Sequence, residues 1–300
     1  MKNKILITGG TGFIGSNLKE KLIQSGFEVL TIGRGSNEDI NTDLVDFDFI
    51  NFFKTHSPDF VCHCASGTSI TRAEQNKEKE FTDTVIVTKK IIQAISALAN
   101  FKKIIYLSSQ AVYGKPDFLP ITEEHKTSPF NTYGKCKLKA EEVIRQSKSH
   151  YIILRVSSVY GKNQDHLKSG VIANFINKMK NNEPPIVFND INQFCDFIYI
   201  NDLTDVIVKS IELDNIRNEI FNLGSGNPST LKEVLEILSL YFPNSPSSEI
   251  KKSKLYLDEE QKGLYFDISK IQSRLKWSCK YDLKSGIGEM LKNTLISRAT

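Results

Sequence analysis

The sequence contains no long hydrophobic run. Its first apolar stretch, Ile5–Ile7, ends after three residues at a glycine turn. A membrane-spanning helix needs about 20 predominantly apolar residues, and a secretory signal needs an apolar core of about 7–15 residues. No stretch of this sequence meets the first requirement, and the N-terminal stretch does not meet the second. We therefore expect no membrane partner and a cytoplasmic location.

The sequence also lacks a dense basic segment. Lys and Arg total 39 against 35 Asp and Glu, which gives a net charge of +4. The nearest approach to a basic block is Lys251-Lys252-Ser253-Lys254, and a short charged stretch of this kind is typical of a solvated face. We therefore expect no nucleic-acid partner. A small anionic ligand would suit the slight positive balance.

The sequence has few cysteines, and they are not spaced in pairs. The five cysteines, at positions 62, 64, 136, 195 and 279, are odd in number and show no paired metal-ligand spacing. Cys62 and Cys64 fall two apart on a predicted strand, so both side chains should point the same way. These features predict buried, inert thiols in a reduced compartment and no metal site.

What the sequence does have is a glycine turn directly after its first apolar run. Glycines stand at positions 9, 12 and 15, between a predicted strand and a predicted helix. This spacing allows a tight turn, close approach of the backbone to a pyrophosphate, and close packing of helix on strand. The amide groups and partial positive charge of the helix N-terminus would then face the anion. The pattern predicts a dinucleotide site.

Strand and helix patterns alternate through the first half of the chain. The candidate strands are Lys4–Thr8, Glu28–Ile32, Phe60–Cys64, Lys103–Leu107 and Tyr151–Arg155. The candidate helices are Phe13–Ser25, Asp48–His56, Glu78–Leu98 and Tyr133–Ser147. Continuous rather than alternating apolar strands indicate burial on both faces of a parallel sheet. We predict an α/β fold with a doubly wound, Rossmann-like parallel sheet.

The second half is less regular and predicts a smaller, discontinuous C-terminal substrate subdomain. We place an NAD(P)-binding domain over residues 1–158, with return segments near 196–223. The substrate subdomain would comprise residues 159–195 and 224–300 and would lie over the carboxyl ends of the strands, where such sheets bind their ligands.

A hydroxyl-rich strand end and a Tyr-x-x-x-Lys helix suggest the chemistry. Ser109 and Gln110 follow the fourth predicted strand, and Tyr133 and Lys137 lie four residues apart, so they share one helical face. The pKa of tyrosine is normally near 10. A neighbouring ammonium group favours the phenolate and would lower that pKa, which makes Tyr133 a candidate acid/base.

These segments resemble the extended short-chain dehydrogenase/reductase family, which comprises NAD(P)-dependent nucleotide-sugar epimerases, dehydratases and reductases. The likeness covers nearly the whole chain. The motifs that carry it are Gly9–Gly15, Val61–Ser66, Ser108-Ser109, Tyr133 with Lys137, Leu154–Gly161, Asp196–Asp202, Phe221–Gly226, Leu264–Lys270 and Leu275–Trp277.

The resemblance implies a role for each matching residue. Tyr133 would be the proton donor and acceptor, Lys137 would hold the nicotinamide ribose, and Ser109 would bond the reacting sugar oxygen. The implied cofactor-binding residues are Gly9, Thr11, Gly12, Phe13, Ile14, Gly15, Arg34, Asp43, Leu44, Cys64, Ala65, Ser66, Tyr133 and Lys137. The implied substrate-binding residues are Ser109, Gln110, Ser158 and Cys195. The resemblance also implies a homodimer formed through Glu78–Leu98 and Tyr133–Ser147.

The residues after the second strand bear on the choice of cofactor. An acidic residue there would accept the ribose hydroxyls of NAD, but the sequence has Gly33, Arg34 and Gly35. Arg34 could bind a 2′-phosphate with two hydrogen bonds. We therefore expect NADP(H), with NAD(H) as the alternative.

Departures from the family pattern bear on the reaction. The Asp-Glu pair of the dehydratases is replaced by Gln110 and Ala111, which leaves elimination of water without a general acid. Together with NADP(H), this favours a reductase of a nucleotide-activated 4-keto-6-deoxy sugar. The alternative is an NAD(P)-dependent nucleotide-sugar 4-epimerase. A non-catalytic dinucleotide- or RNA-binding member is the remote alternative.

Three further positions differ from the family in the presumed ligand sites. Ser158 stands where Asn is frequent, Cys195 where Arg is frequent, and Thr84 where Asn is common. Cysteine cannot replace arginine electrostatically at a diphosphate. Lys162 or Lys168 is our candidate for that missing positive charge.

Overall fold

The computed structural model describes residues 2–67, 69–164, 170–253 and 263–296. Its strands are β1 (Lys4–Thr8), β2 (Glu28–Gly33), β3 (Ile40–Asn41), β4 (Phe60–His63), β5 (Lys103–Ser109), β6 (Tyr151–Val156), β7 (Ser158–Tyr160), β8 (Ile186–Phe188), β9 (Phe194–Tyr199), β10 (Glu219–Leu223), β11 (Pro228–Thr230), β12 (Glu249–Lys251) and β13 (Gly263–Leu264). Its α-helices are α1 (Phe13–Gln24), α2 (Phe49–His56), α3 (Ile70–Gln75), α4 (Lys77–Phe81), α5 (Val87–Ile95), α6 (Thr132–Arg145), α7 (Val171–Lys180), α8 (Ile200–Glu212), α9 (Leu231–Ser239), α10 (Ser269–Leu275) and α11 (Leu283–Ile296).

The main sheet has seven parallel strands in the order β10-β6-β5-β4-β1-β2-β3. Its two faces are covered by separate apolar clusters. Along β1, Ile5 and Ile7 face the cluster that includes residues of α1 and α8, whereas Leu6 faces the cluster that includes residues of α2, α5 and α6. Helices on both faces of a parallel sheet define the doubly wound α/β class, so the predicted Rossmann-like fold is confirmed.

The second, smaller sheet has β9 as its central strand. This strand pairs with β11 in antiparallel fashion and with β7 and β13 in parallel. The buried Asp196 carboxylate on β9 accepts hydrogen bonds from the amides of Ser225, Gly226 and Phe266. One carboxylate thus ties the turn after β10 and the segment after β13 to β9. From β9 the chain passes directly into α8 and returns to the main sheet in β10.

The predicted helix over residues 78–98 differs most from the structure. The chain is helical from Lys77 to Ile95, but a π-helical turn, Thr82–Ile86, separates α4 from α5. Within that region the Thr88 hydroxyl donates to the Thr84 carbonyl oxygen at 2.6 Å. A side chain that bonds the backbone one turn earlier competes with the regular helical pattern. The short helix α3 had no hydrophobic period from which it could be predicted. In the described part of the chain, no helix has both the length and the apolar content to span a bilayer.

Candidate active site

The glycine turn lies between β1 and α1, as predicted. Gly9 has a φ of +72°, which L-residues rarely adopt. A Cβ at Gly15 would overlap the Gly9 carbonyl, and one at Gly12 would lie 3.2 Å from the Gly9 oxygen. Helix α1 begins at Phe13, and Gly12 provides no side-chain cap for its first amides. Without side chains at these glycines, the backbone forms a cradle at a helix N-terminus that fits a pyrophosphate.

This cradle lies where the strand order reverses, between the adjacent strands β1 and β4. A Cβ on Gly9 would contact Ala65, just after β4, at 3.2 Å. The Ala65 amide donates to the Thr8 hydroxyl at 3.1 Å. The two strand ends are therefore fixed against each other at the point where doubly wound sheets bind their ligands.

A buried carboxylate stands at the carboxyl end of β2. Glu38 is only 8% exposed, and its Oε1 accepts hydrogen bonds from the Thr11 amide at 2.8 Å and the Thr11 hydroxyl at 2.9 Å. A Cβ at Gly33 would lie 2.9 Å from this Oε1, and a Cβ at Gly10 would lie 2.8 Å from Oε2. Glu38 thus fills the space that a side chain on Gly33, the last residue of β2, would occupy. Its Oε2 has no hydrogen-bond donor within the described ranges.

Sequence reasoning missed Glu38 because it sought an acid directly after the strand. The side chain reaches back from five residues beyond Gly33, through a loop whose Gly35 packs closely against the Thr11 side chain. A carboxylate at the end of this strand disfavours a phosphate there, because the two negative charges repel. An acidic side chain therefore does reach the end of β2, although Gly33, Arg34 and Gly35 directly after the strand carry none.

Arg34, the residue predicted to bind a 2′-phosphate, lies between two carboxylates. Its guanidinium group is 3.7 Å from Asp43 and 3.5 Å from Asp83. Asp43 also accepts a hydrogen bond from the Val45 amide at 3.1 Å, and the neighbouring Leu44 is buried. Asp83 also pairs with Lys79 at 3.2 Å. A phosphate bound to Arg34 would therefore lie beside two carboxylates that Arg34 and Lys79 neutralise in part.

The catalytic candidates converge at the carboxyl end of β5. The first turn of α6 is held by Asn131, whose side chain accepts from the Gly134 amide at 2.8 Å, and by Glu74, which accepts from the Thr132 amide at 2.6 Å. A Cβ on Gly134 would overlap the Ala111 carbonyl. Glycine at position 134 therefore allows the start of α6 to lie directly against the turn that follows Ser109.

Tyr133 is buried close to the Ser109 hydroxyl in this arrangement. Burial raises the pKa of Tyr133 to about 12, although the nearby Ser109 hydroxyl acts in the opposite direction. We expected Lys137 to lower this pKa. The Lys137 ammonium group lies 5.7 Å from the centre of the Tyr133 ring, so its effect is smaller than the cost of burying a phenolate.

Lys137 itself is buried behind the tyrosine. Its Nζ donates to the Ser66 hydroxyl at 2.7 Å and to the Leu107 carbonyl at 2.6 Å. Burial lowers the pKa of Lys137 to about 8, and the nearby Glu80 carboxylate partly opposes that change. The lysine thus links the ends of β4 and β5 and places a positive charge beside Tyr133.

The substrate-side candidates are less closely grouped. Gln110 follows Ser109, and its buried Oε1 has no donor in the described part of the chain. Ser158 lies on β7 and Cys195 on β9, and both strands belong to the smaller sheet. Lys162 is paired with Glu20 at 2.7 Å, and Lys168 lies outside the described residues.

Among the described residues, the histidines and cysteines form no metal-binding group. His63 is buried between the hydroxyls of Thr8 at 2.7 Å and Thr88 at 3.0 Å, and burial lowers its pKa to about 3. All five cysteines are free thiols. Over residues 2–67, 69–164, 170–253 and 263–296, no three His, Cys, Asp or Glu side chains form a group that could hold a metal ion.

Comparison with known proteins agrees with this geometry. The profile of the NAD dependent epimerase/dehydratase family matches residues 5–224. The chain is 34% identical over 304 aligned residues to a putative UDP-glucose 4-epimerase of Methanocaldococcus jannaschii, with 94% of this chain and 95% of the relative covered. It is 26% identical to a dTDP-4-dehydro-6-deoxyglucose reductase of Escherichia coli, with 97% and 98% covered.

Solved structures with the same fold include two epimerases. A UDP-glucose 4-epimerase from Thermotoga maritima with UDP-glucose superposes with a TM-score of 0.89 at 24% identity, covering 98% of this chain and 99% of that one. A UDP-glucuronic acid 4-epimerase from Bacillus cereus in complex with UDP-glucuronic acid and NAD has a TM-score of 0.88 at 25% identity, with 99% and 100% covered. The chain belongs to the NAD dependent epimerase/dehydratase family, within the extended short-chain dehydrogenases/reductases, and is an NAD(P)-dependent epimerase/oxidoreductase.

Proposed function

We propose that this protein is a UDP-sugar 4-epimerase that uses NAD. The observation that carries the proposal is the buried Glu38 carboxylate at the end of β2. The sequence favoured a reductase largely because Arg34 was expected to select NADP(H). Because Glu38 lies at the end of β2 and Arg34 is paired with Asp43 and Asp83, the argument for NADP(H) no longer holds. The preference for a reductase, which rested on NADP(H), is lost with it.

The cofactor choice follows from charge. An NADP 2′-phosphate would meet the negative charges of Glu38, Asp43 and Asp83, which Arg34 and Lys79 offset in part. A ribose hydroxyl, by contrast, carries no charge, so these carboxylates do not oppose the ribose of NAD. NAD is also the cofactor named with the Bacillus cereus epimerase structure.

The residues fit an oxidation followed by a reduction at one sugar carbon. When bound, NAD⁺ supplies the hydride acceptor and a positive charge. Tyr133 takes the proton from the sugar C4 hydroxyl as that carbon is oxidised to a ketone, and it returns the proton when the ketone is reduced. Ser109, whose hydroxyl lies close to Tyr133, would hold the same oxygen. Lys137 stabilises the phenolate through its charge and would hold the nicotinamide ribose.

Inversion requires the hydride to return to the opposite face of C4, so the keto sugar must turn within its pocket. Gln110, Ser158 and Cys195 are the side chains that we propose line that pocket. The assignment of UDP rests on the names of the relatives, which are mainly UDP-sugar 4-epimerases. The relative from Escherichia coli supports reduction of a dTDP-4-keto-6-deoxy sugar as the second candidate.

One assay distinguishes the two reactions. The protein is incubated with NAD⁺, NADH or NADPH and a panel of UDP-, dTDP-, GDP- and CDP-sugars that includes 4-keto-6-deoxy forms. Mass spectrometry, chromatography and reduced-cofactor absorbance are recorded together. An isomeric product without net cofactor loss is expected. A product heavier by two hydrogens, with stoichiometric loss of NADH or NADPH, would establish the reductase instead.

A further inference from the structure

Glu80 is a buried acid beside the catalytic pair that the reaction described above does not use. Its side chain is on α4, and the residue is only 5% exposed. Carboxylates are almost never buried to this extent unless they are paired or hydrogen-bonded. The position of Glu80 therefore requires a physical explanation.

The contacts of Glu80 lead to the loop that Lys137 binds. The Thr84 hydroxyl donates to Glu80 Oε1 at 2.8 Å, and the Gly67 amide lies 3.5 Å from the same hydroxyl. A Cβ on Gly67 would overlap the Glu80 carboxylate, so this acid lies directly on the Gly67 backbone. Lys137 holds the adjacent Ser66 at 2.7 Å. Glu80 on α4 and Lys137 on α6 therefore both contact the loop at Ser66 and Gly67.

The ionisable groups around Glu80 and Lys137 are mostly acidic. The ionisable side chains that face Glu80 are Tyr133, Cys136 and Lys137 on α6, Tyr106 on β5 and Asp83 in the following π-helical turn. Lys137 is the only cation among these, and it interacts in addition with Cys64, His63 and Glu141. Burial raises the pKa of Glu80, and the Thr84 hydroxyl and Lys137 oppose that rise.

We propose that Glu80 is a positioning residue for the catalytic pair: its buried negative charge keeps Lys137 in the ammonium form, and its contact with Gly67 fixes the loop that Lys137 binds. This inference rests on the proposed catalytic roles of Tyr133 and Lys137. It assigns Glu80 no contact with substrate or cofactor. Glu80 acts through the lysine and the loop.

The direct test is the titration of Lys137 in the cofactor-free protein. Protein labelled with ¹³C at the lysine Cε is titrated by NMR, and the Lys137 signal is identified by its loss in Lys137→Met. In Glu80→Gln, which keeps the size of the side chain, the Lys137 midpoint should move to lower pH by about half a pH unit or more, because an opposing charge is removed. An unchanged midpoint in folded Glu80→Gln would overturn the proposal.

Glu78→Gln is the matched control. Glu78 lies on the same helix two residues earlier and is exposed, so its loss should leave the Lys137 midpoint where it is. If Glu78→Gln shifts Lys137 as much as Glu80→Gln does, the effect is general electrostatics and the specific role of Glu80 is refuted.

A reciprocal measurement covers the case in which Glu80→Gln does not fold. Coupling between two titrating groups is mutual, so Lys137→Met should raise the Glu80 midpoint, followed with ¹³Cδ-labelled glutamate and assigned with Glu80→Asp. A Glu80 midpoint unaffected by Lys137→Met would also overturn the proposal.

Activity provides a separate readout. In Glu80→Gln the limbs of the pH profile of kcat/KM should move to lower pH, whereas a purely structural role would lower the rate at every pH without moving them. Neither NMR titration needs turnover. A protein inactive on every nucleotide sugar, but with a shifted Lys137 midpoint, would therefore refute the proposed function and leave the role of Glu80 intact.

Discussion

Arg155 on β6 and Glu141 on α6 form a buried, bidentate ion pair. The Arg155 Nε and Nη2 atoms lie 3.1 Å from Oε1 and 2.7 Å from Oε2 of Glu141. The side chains are 4% and 0% exposed. The Ser108 hydroxyl also donates to Glu141 at 2.5 Å. The helix that carries Tyr133 and Lys137 is thereby fixed to the strand that ends in Ser109.

Removal of one partner of this pair should be costly. Arg155→Met leaves the Glu141 carboxylate buried without its cation, and we expect a loss of about 3–5 kcal/mol in the free energy of unfolding. The measurement is urea denaturation at pH 7. Lys162→Met, which breaks the exposed pair with Glu20, should cost less than about 1 kcal/mol. Equal losses in the two variants would contradict the special role of the buried pair.

Cofactor choice should depend on Glu38 rather than Arg34. Glu38→Gln removes the charge that opposes a 2′-phosphate, so the ratio of the NADP and NAD dissociation constants should fall by about tenfold or more, equivalent to ~1.4 kcal/mol. Calorimetric titration of each cofactor measures it. Arg34→Ala should change the ratio by less than Glu38→Gln does, because the exposed Arg34 is already paired with Asp43 and Asp83. A selective loss of NADP binding in Arg34→Ala would instead restore the phosphate-binding role first expected of that residue.

Tyr133→Phe should separate chemistry from binding. Loss of the acid/base hydroxyl is expected to lower kcat by about 10²–10⁴-fold, while the dissociation constant for NAD stays near that of wild type. Tyr241→Phe, at a partly exposed position on the surface, should change neither quantity. Full activity in Tyr133→Phe would rule out the proposed mechanism. Intact binding with no detectable reaction in the wild type would favour the non-catalytic alternative.

His63 should make the protein less stable in acid. Burial and the nearby Lys137 hold the pKa of His63 at about 3 in the folded state, against about 6.5 unfolded. Below pH 6.5 the unfolded chain binds a proton that the folded protein does not, so stability falls as pH falls. Between pH 6.5 and 4.5, the buried neutral His63 should lower the free energy of unfolding by about 2–3 kcal/mol.

Denaturation curves of wild type and His63→Gln, recorded between pH 6.5 and 4.5, test this prediction. The difference in unfolding free energy between wild type and His63→Gln should narrow on acidification, because the variant has no imidazole to protonate. Parallel pH dependences would show that His63 is not buried in its neutral form.

Much of the fold could be predicted from the sequence because local patterns determine it. The strands β1, β2, β4, β5 and β6 were placed within a residue or two at each end, since apolar runs bounded by turns are strong signals for buried parallel strands. Helix α6, predicted over Tyr133–Ser147, runs from Thr132 to Arg145, so both of its ends were placed within two residues.

The parts that were not predicted depend on contacts distant in sequence. The side chain of Glu38 reaches back across a loop, and Glu80 meets Gly67 only after α4 packs beside α6. Neither contact leaves a periodic pattern in the chain. The roles of Ser158 and Cys195, the domain boundaries and the homodimer stay predictions.

The cysteines have a practical consequence for labelling. Burial raises the pKa of Cys64, Cys195 and Cys279 to about 12 and that of Cys136 to about 11, and it raises the pKa of Cys62 further. At pH 7.5 fewer than about one such thiol in a thousand is ionised. Maleimide dyes and spin labels should therefore react preferentially with a new exposed cysteine. Distance probes could then be attached without first removing the native thiols.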